Sequence, residues 1–212
     1  MVGTSLDPYP SRMAGGSWDD AYRGGRAPWD IGRPQPAIVR VAGAGELSGH
    51  VLDVGCGSGE HALVASTIGL QVTGVDVSSI AIERARAKAR QRGLIAEFLV
   101  GDVLDLPAVP RLDAPFDTVI DVGCFHTFSN ADRPLYAASL AAVVEPGGVL
   151  HLLCFSELTP GTDGPRRVTE GELRSTFSRE WKVQRIEPET FSVSSAWAGP
   201  EPSAWLARII RR

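Results

Sequence analysis

Apolar and polar residues follow one another in blocks along most of the chain, and these blocks predict strands and helices in turn. The stretch 78–93 predicts a helix because Ser78 or Ser79 can cap its start, basic residues fill its end and Gly93 terminates it. Shorter apolar runs predict strands at 51–54, 71–77, 96–102, 116–123, 149–155, 182–191 and 204–210. Further helices are predicted at 60–69, from 132 until Pro146 and the two glycines after it, and at 169–177.

Strands that alternate with helices pair in parallel, so the order of elements predicts a doubly wound α/β sheet with helices on both faces. The last two predicted strands, 182–191 and 204–210, are joined by a loop, which indicates an antiparallel hairpin at one edge of the sheet. Residues 1–16 are rich in Gly, Pro and Ser, and we expect them to be loosely ordered.

Composition narrows the class of protein. The chain has 212 residues, of which 43% are hydrophobic, and this suits one globular domain. Its net charge of −4 disfavours nucleic acid as a partner, and no apolar stretch approaches a membrane span. The three cysteines, Cys56, Cys124 and Cys154, match no zinc spacing. We therefore expect a cytoplasmic protein, monomeric or weakly dimeric, that binds no metal.

The segment "VLDVGCGSGEHAL", residues 51–63, places three glycines directly after the first predicted strand. Ligands of doubly wound sheets lie beyond the carboxyl ends of the strands, and glycines let a ligand approach the backbone closely. Gly55, Gly57 and Gly59 do not follow the spacing of a dinucleotide loop, which requires a glycine where Glu60 stands. A carboxylate there would repel a diphosphate, so the segment argues against NAD and against a phosphate loop.

Acidic residues at the ends of successive strands indicate which ligand binds. Asp76 ends the second strand 21 residues after Gly55, where a carboxylate accepts hydrogen bonds from ribose hydroxyls. Asp102 follows the third strand and can accept from an adenine amine, and Asp53 can pair with an amino group. Each acid alone could be a cap or a turn residue. A ligand with an amine, a ribose and an adenine but no phosphate is S-adenosylmethionine.

Five segments together resemble the class I S-adenosylmethionine-dependent methyltransferases. They are the glycine motif "VLDVGCGSG", the second-strand acid in "VTGVDVS", "GDVLDLP" on the adenine side, "FDTVIDVGCFHTF" at the fourth strand and "VVEPGGVLHLLCF" at the fifth. The likeness spans residues 47–212. It implies a Rossmann-like sheet of seven mostly parallel strands, the last one antiparallel, with S-adenosyl-L-methionine as cofactor. The residues expected to bind it are Asp53, Gly55, Cys56, Gly57, Gly59, Asp76, Val77, Asp102, Val103 and Asp121.

Two flanking segments, "WDDAYRGGRAPWDIGRPQPAIVRV" and "LLCFSELTPGTDGPRRVTEGELRSTF", resemble the thiopurine, halide and thiol methyltransferase branch. This likeness implies that Trp18 and Tyr22 cover the cofactor and that Trp29 faces the transferred methyl group. It also implies that residues 1–36 form a flexible cover over the active site and residues 37–212 form the methyltransferase domain. One departure is that Val122 stands where the branch often has an arginine, which puts in doubt whether the substrates of the branch apply to this chain.

Methyl transfer from a sulfonium is an in-line displacement, for which an enzyme chiefly supplies proximity, orientation and a dry site. A thiolate or halide acceptor needs no strong base, whereas a hydroxyl or amine acceptor profits from one. Asp121 and His126, near the end of the fourth strand, are the candidate catalytic groups. Asp121 can instead organise the loop, and His126 can instead be a structural, hydrogen-bonded histidine.

The acceptor pocket is expected to be apolar. Trp29, Phe125, Phe128 and Phe155 are its candidate walls, although for any one of them plain core packing is the better explanation. Arg166, in the loop 156–167, can orient an anionic acceptor or be a solvated loop charge.

Three functions stay open at this point. The leading hypothesis is methyl transfer to a small molecule, a thiol or other soft nucleophile. One alternative is O-methylation of a phenol or quinol with His126 as base, and another is a cofactor-binding domain without turnover. The acidic net charge disfavours methylation of nucleic acid, and no N-P-P-Y or D-P-P-Y motif follows the fourth strand.

Overall fold

A computed structural model describes residues 15–24, 27–113, 115–161 and 164–212. The expected loose order of residues 1–16 falls almost entirely outside this range. The helices are α1 (Gly15–Arg23), α2 (Pro36–Gly43), α3 (Glu60–Thr67), α4 (Ser79–Arg92), α5 (Asp132–Val143) and α6 (Glu170–Thr176). The strands are β1 (His50–Val54), β2 (Gln71–Asp76), β3 (Glu97–Val100), β4 (Phe116–Val122), β5 (Val144–Phe155), β6 (Trp181–Thr190) and β7 (Ser203–Arg211). Short 3₁₀ turns follow β3 (Val103–Ala108) and β4 (Phe125–Thr127).

The seven strands form one sheet in the order β3-β2-β1-β4-β5-β7-β6. Strands β1 to β5 pair in parallel, whereas β7 pairs antiparallel with both β5 and β6. The prediction of a doubly wound sheet with an antiparallel edge hairpin is therefore confirmed. Because β1 lies between β2 and β4, the order of strands reverses beside it, and ligands of such sheets bind at this reversal.

Two apolar layers cover the sheet, and β1 contributes to both because successive strand residues point to opposite faces. Leu52 and Val54 pack in the layer that contains Tyr136 and Leu140 of α5. Val51 packs in the opposite layer with side chains of α2, α3 and α4. With both faces covered, the carboxyl ends of the strands are left as the place where a ligand can enter.

The sequence prediction was wrong about the end of α5. The helix does not continue to Pro146 but ends at Val143, and Val144 already pairs with Phe116 of β4. Pro146 lies where the register of this pairing shifts, because a residue without an N–H is tolerated in a strand only at an edge or irregularity. Helix α2, which was not predicted, begins with Pro36 at its first position and buries Ala37, Ile38, Val41 and Ala42.

Candidate active site

A cavity of about 350 Å³ lies beyond the carboxyl ends of β1, β2 and β4. Its walls come from the glycine segment, the end of β5, the loops after β2, β3, β4, β5 and β6, and the described part of the N-terminal segment. They include Trp18, Tyr22, Trp29, Gly55, Asp76, Val77, Asp102, Val103, Gly123, Cys124, His126, Thr127, Phe128, Phe155, Pro165, Phe191, Val193 and Trp197. Acidic residues thus line one end, and aromatic residues line the other.

The glycine segment lets other side chains approach its backbone. Gly55, Gly57 and Gly59 have φ values of 63°, 51° and 87°, a region that favours glycine. A Cβ atom built on Gly57 would lie 2.5 Å from the hydroxyl oxygen of Tyr22, and one on Gly55 would lie 2.8 Å from Sγ of Cys124. The sequence suggested that a ligand approaches this backbone closely. In the structure, Tyr22 of the cover segment and Cys124 approach it.

Asp76 connects the glycine segment to α4. One carboxylate oxygen accepts a hydrogen bond from the backbone N–H of Gly57 and the other from that of Ser78, both at 2.8 Å. Burial raises the pKa of this carboxyl group. Each oxygen has a second lone pair, so Asp76, which lines the cavity, can also accept from ribose hydroxyls. Asp102 lines the same end, and one of its oxygens accepts from the N–H of Leu104.

Asp53 and Asp121 lie beneath the cavity and do not line it. Asp53 accepts from the backbone N–H of Ala62 at 2.9 Å, and burial raises its pKa to about 8. Asp121 accepts from the N–H of Cys124 and from the hydroxyl of Tyr136, and burial raises its pKa to about 6. Its bonds hold the turn after β4, which corrects the expectation that Asp121 reaches the reacting groups.

The N-terminal segment is docked over the cavity. Trp29 packs edge to face against Trp18 and Tyr22, with ring centres 5.4 and 6.3 Å apart, and its indole N–H donates to the Tyr22 hydroxyl. Asp19 on α1 accepts from the hydroxyl of Ser78 at 2.5 Å, at the start of α4. Cover and cavity therefore meet through aromatic contacts on one side and the start of α4 on the other.

His126 lies in the turn after β4, where its ring packs against Phe155 and Phe191. Its Nδ1 accepts a hydrogen bond from the backbone N–H of Phe155 at 3.1 Å. Burial, strengthened by the charges of Arg167 and Arg133, lowers its pKa to about 3, so the ring is neutral. Since Nδ1 is the acceptor, the single ring proton lies on Nε2.

Several candidate residues lie elsewhere than the sequence suggested. Phe125 is fully buried against Tyr136 and Phe177, and Arg166 pairs with Glu172 and donates to Asn130, so neither lines the cavity. Cys56, Gly57 and Gly59 support the cavity without lining it. Trp29 and Phe128 do line it.

Sequence reasoning missed Phe191, Val193 and Trp197, which complete the aromatic end of the cavity. They lie in the loop between β6 and β7, far in sequence from every motif. The signal that could have found them is the presence of two large aromatic residues in a loop otherwise rich in Ser, Gly and Pro.

The residues present fit S-adenosylmethionine. The acids that can bind ribose and adenine line one end of the cavity, together with Val77 and Val103. Gly55 also lines it, and a side chain there would meet Cys124. Among the described residues, no group of three or more histidines, cysteines and acids could hold a metal ion.

Comparisons with known proteins agree with this site. Residues 51–148 match the model of a methyltransferase domain. The chain is 35% identical, over 180 residues, to 2-heptyl-1-hydroxyquinolin-4(1H)-one methyltransferase of Mycobacteroides abscessus, covering 81% of this chain and 78% of that protein. It is 30% identical over 148 residues to probable thiol methyltransferase 2 of Arabidopsis thaliana, covering 68% and 64%. A solved structure concerned with the conversion of a disulfide bond into a thioacetal group during echinomycin biosynthesis has 37% identity and a TM-score of 0.83, with 93% of both chains covered.

The chain belongs to the S-adenosylmethionine-dependent methyltransferases, as its fold, its cavity and its relatives agree. It is an enzyme that transfers a methyl group from this cofactor to a small molecule. Within the part of the chain that the structure describes, no helix is long and apolar enough to cross a membrane.

Proposed function

We propose that the enzyme methylates the sulfur atom of a small molecule, or another soft nucleophile, without a protein base. The observation that carries this proposal is the chemistry of the acceptor end of the cavity. Its walls are the aromatic rings of Trp29, Phe128, Phe155, Phe191 and Trp197. Such walls suit an apolar acceptor, and they exclude the water that would compete for the methyl group.

Of the described side chains at this end, His126 and Cys124 are titratable, and neither is suited to remove a proton. His126 uses the lone pair of Nδ1 for the backbone of Phe155 and carries its proton on Nε2. Cys124 is half-buried beside Asp121, and its desolvation and the nearby carboxylate raise its thiol pKa well above the usual value. An acceptor that is nucleophilic without help from the protein matches these surroundings better than an alcohol does.

The cofactor supplies an activated methyl group, and the protein's contribution is to align the acceptor with it. A thiol with a pKa of about 8 to 9 forms enough thiolate near neutral pH to attack directly. In-line transfer then requires proximity, orientation and a dry cavity. The similarity to a thiol methyltransferase, and to a structure tied to disulfide chemistry, supports a sulfur acceptor.

A second candidate acceptor is the hydroxyl group of an aromatic or heteroaromatic ring. The 35% identity to the hydroxyquinolone methyltransferase favours it, and a flat ring suits the aromatic walls. The position of the His126 proton argues against the version in which His126 is the base, so a hydroxyl acceptor would have to ionise easily by itself. Oxygen and sulfur acceptors would then both have to ionise without the help of a protein base.

The test is a screen of aromatic thiols, thiopurines, halides, phenols and N-hydroxy heterocycles with methyl-labelled cofactor. We expect product from thiols and from the more acidic hydroxyl compounds, and little from alcohols or weakly acidic phenols. Product from alcohols alone would contradict the proposal. A folded protein that binds S-adenosylhomocysteine but forms no labelled product would favour a binding domain without turnover.

A further inference from the structure

The ring of His126 is fixed in the wall of the acceptor end. It is 5% exposed, with the Phe155 ring edge-on at 4.9 Å and the Phe191 ring at 5.9 Å. The N–H of Phe155, in the last residue of β5, holds Nδ1. Turning the ring over would put Cδ2–H in the place of Nδ1 and leave that N–H without its acceptor, so the observed orientation is the favoured one.

The Nε2–H group is the donor that this orientation leaves for a ligand. Nε2 has no hydrogen-bond partner among the described residues, and the ring lines the cavity. A Cβ atom on Gly123 would lie 3.2 Å from Nε2, so the glycine keeps the approach to this atom open. Because the N–H opens onto the cavity, an acceptor atom of a bound molecule can complete its hydrogen bonding.

Two arginines lie near the ring, Arg133 of α5 and Arg167 of the loop before α6. The buried guanidinium of Arg133 donates through Nη1 to Glu172, while its Nε and Nη2 have no partner among the described residues. The side chains that pack on the ring from β5 and from the loop after β6 are the uncharged aromatics Phe155 and Phe191. A neutral N–H donor makes its strongest hydrogen bond to a negatively charged acceptor atom.

We propose that the acceptor binds as an anion and that His126 donates the Nε2–H hydrogen bond to its nucleophilic atom. This inference rests on the proposed function and names its substrate class: thiols and acidic hydroxyl compounds that supply enough of their anion near neutral pH. The acceptor gives its proton to solvent before transfer. Its sulfur or oxygen then bonds to the methyl carbon, while the bond from that carbon to the cofactor sulfur breaks and leaves its electron pair on that sulfur.

The same hydrogen bond explains how one cavity can serve both sulfur and oxygen acceptors. An N–H donor recognises a negative charge and does not require a particular element. His126 is thus a specificity-determining residue that selects acceptors by acidity. A weakly acidic alcohol would have to bind in its protonated form, facing the Nε2–H donor of His126, which cannot accept the proton.

The experiment uses 4-nitrophenol, whose anion is coloured, bound to the full-length protein with S-adenosylhomocysteine so that no turnover occurs. Absorbance against pH gives the pKa of the bound probe. We expect it to lie at least about one unit below that of the free probe, which corresponds to about tenfold preference for the anion. His126→Phe, which keeps an aromatic ring without the donor, should return the pKa toward the free value.

Two further variants sharpen the test. His126→Gln can place an amide donor near the position of Nε2 and should retain part of the shift. His50→Phe, at the opposite end of β1 from the cavity, should behave as wild type. A bound pKa that is unchanged or raised in the wild type, or equally lowered in His126→Phe, would overturn the inference.

The proposed function and the role of His126 can be refuted independently, because the acceptor screen tests the first and this titration tests the second. A lowered pKa without thiol methylation would retain anion binding and refute the sulfur acceptor. Thiol methylation with an unshifted pKa would retain the proposed function and refute the role of His126.

Discussion

Gly57 shows how one residue shapes the cofactor end of the cavity. Its φ of 51° and the hydroxyl of Tyr22 both exclude a side chain there, since a Cβ atom would lie 2.5 Å from that oxygen. The next ring atom, Cζ of Tyr22, would lie 3.6 Å away, which is an ordinary contact. The steric conflict therefore rests on one atom, and this makes it testable by a pair of substitutions.

Gly57→Ala should weaken binding of S-adenosylhomocysteine by about tenfold or more, because it displaces Tyr22 and costs about 1–2 kcal/mol of backbone strain. The double variant Gly57→Ala/Tyr22→Phe removes the clashing oxygen and should recover part of the affinity. Calorimetry of the wild type and the three variants measures both effects, with Tyr22→Phe alone as the control. Equal affinities of the single alanine variant and the double variant would show that Tyr22 is not the obstacle.

At the residue scale, the sequence was informative where a role depends on position along one strand. Asp76 and Asp102 were found because acids at the carboxyl ends of strands meet at one edge of the sheet. The proton position of His126 could not be predicted, because it depends on the N–H of Phe155, 29 residues away. In the sequence Asp121 was both a candidate base and a candidate loop organiser, and its bonds to Cys124 and Tyr136 favour the second role.

At the element scale, α1 and α4 form the contact that holds the cover in place. The carboxylate of Asp19 accepts from the hydroxyls of Ser78 and Ser79 and from the N–H of Ile80. These bonds lower the pKa of Asp19, and the bond from Ser78 has the largest effect. Because Ser78 also donates its N–H to Asp76, the start of α4 joins the cover to the candidate ribose acid.

Asp19→Ala should release the cover. We expect limited proteolysis within residues 1–36 to become faster than in the wild type, and binding of S-adenosylhomocysteine to weaken by about fivefold, which corresponds to about 1 kcal/mol, the typical net contribution of a hydrogen bond. In the wild type, the cofactor product should slow the cleavage. Asp20→Ala is the matched control, since the exposed Asp20 pairs only with Arg23 of its own helix among the described residues. Identical digestion of the Asp19 and Asp20 variants would contradict this role of Asp19.

The elements themselves were predictable where the pattern is local. All seven strands were found in the sequence, because each is a short apolar run between polar or glycine-rich loops. Helices α1 and α2 were missed because aromatic, glycine and proline residues interrupt their region, although the buried positions of α2 recur with helical spacing. The end of α5 was misplaced because pairing with Phe116 extends β5 through Pro146, a tertiary contact that a local pattern does not contain.

At the scale of the whole molecule, two sets of buried groups make stability depend on pH in opposite directions. The raised pKa values of Asp53, about 8, and Asp121, about 6, mean that stability is lost as pH rises from about 4 through those values. The lowered pKa values of His126, about 3, and of His61 and His151, about 4, mean that stability is lost as pH falls below about 6.5.

Between pH 6.5 and 8 the histidines of the unfolded chain still lose protons, which raises stability, while ionisation of Asp53 lowers it. The contribution of Asp53 to the free energy of unfolding in urea, measured as the difference between the wild type and a variant without this carboxyl group, should therefore fall by about 1–2 kcal/mol between pH 6.5 and 8, since one proton contributes at most about 1.4 kcal/mol per pH unit. Asp53→Asn keeps an oxygen that can accept from the N–H of Ala62 and should lack this contribution. Asp20→Asn, which changes an exposed carboxylate, should keep the pH dependence of the wild type. An equal pH dependence of the wild type and Asp53→Asn would mean that Asp53 is already ionised in the folded protein at pH 6.5.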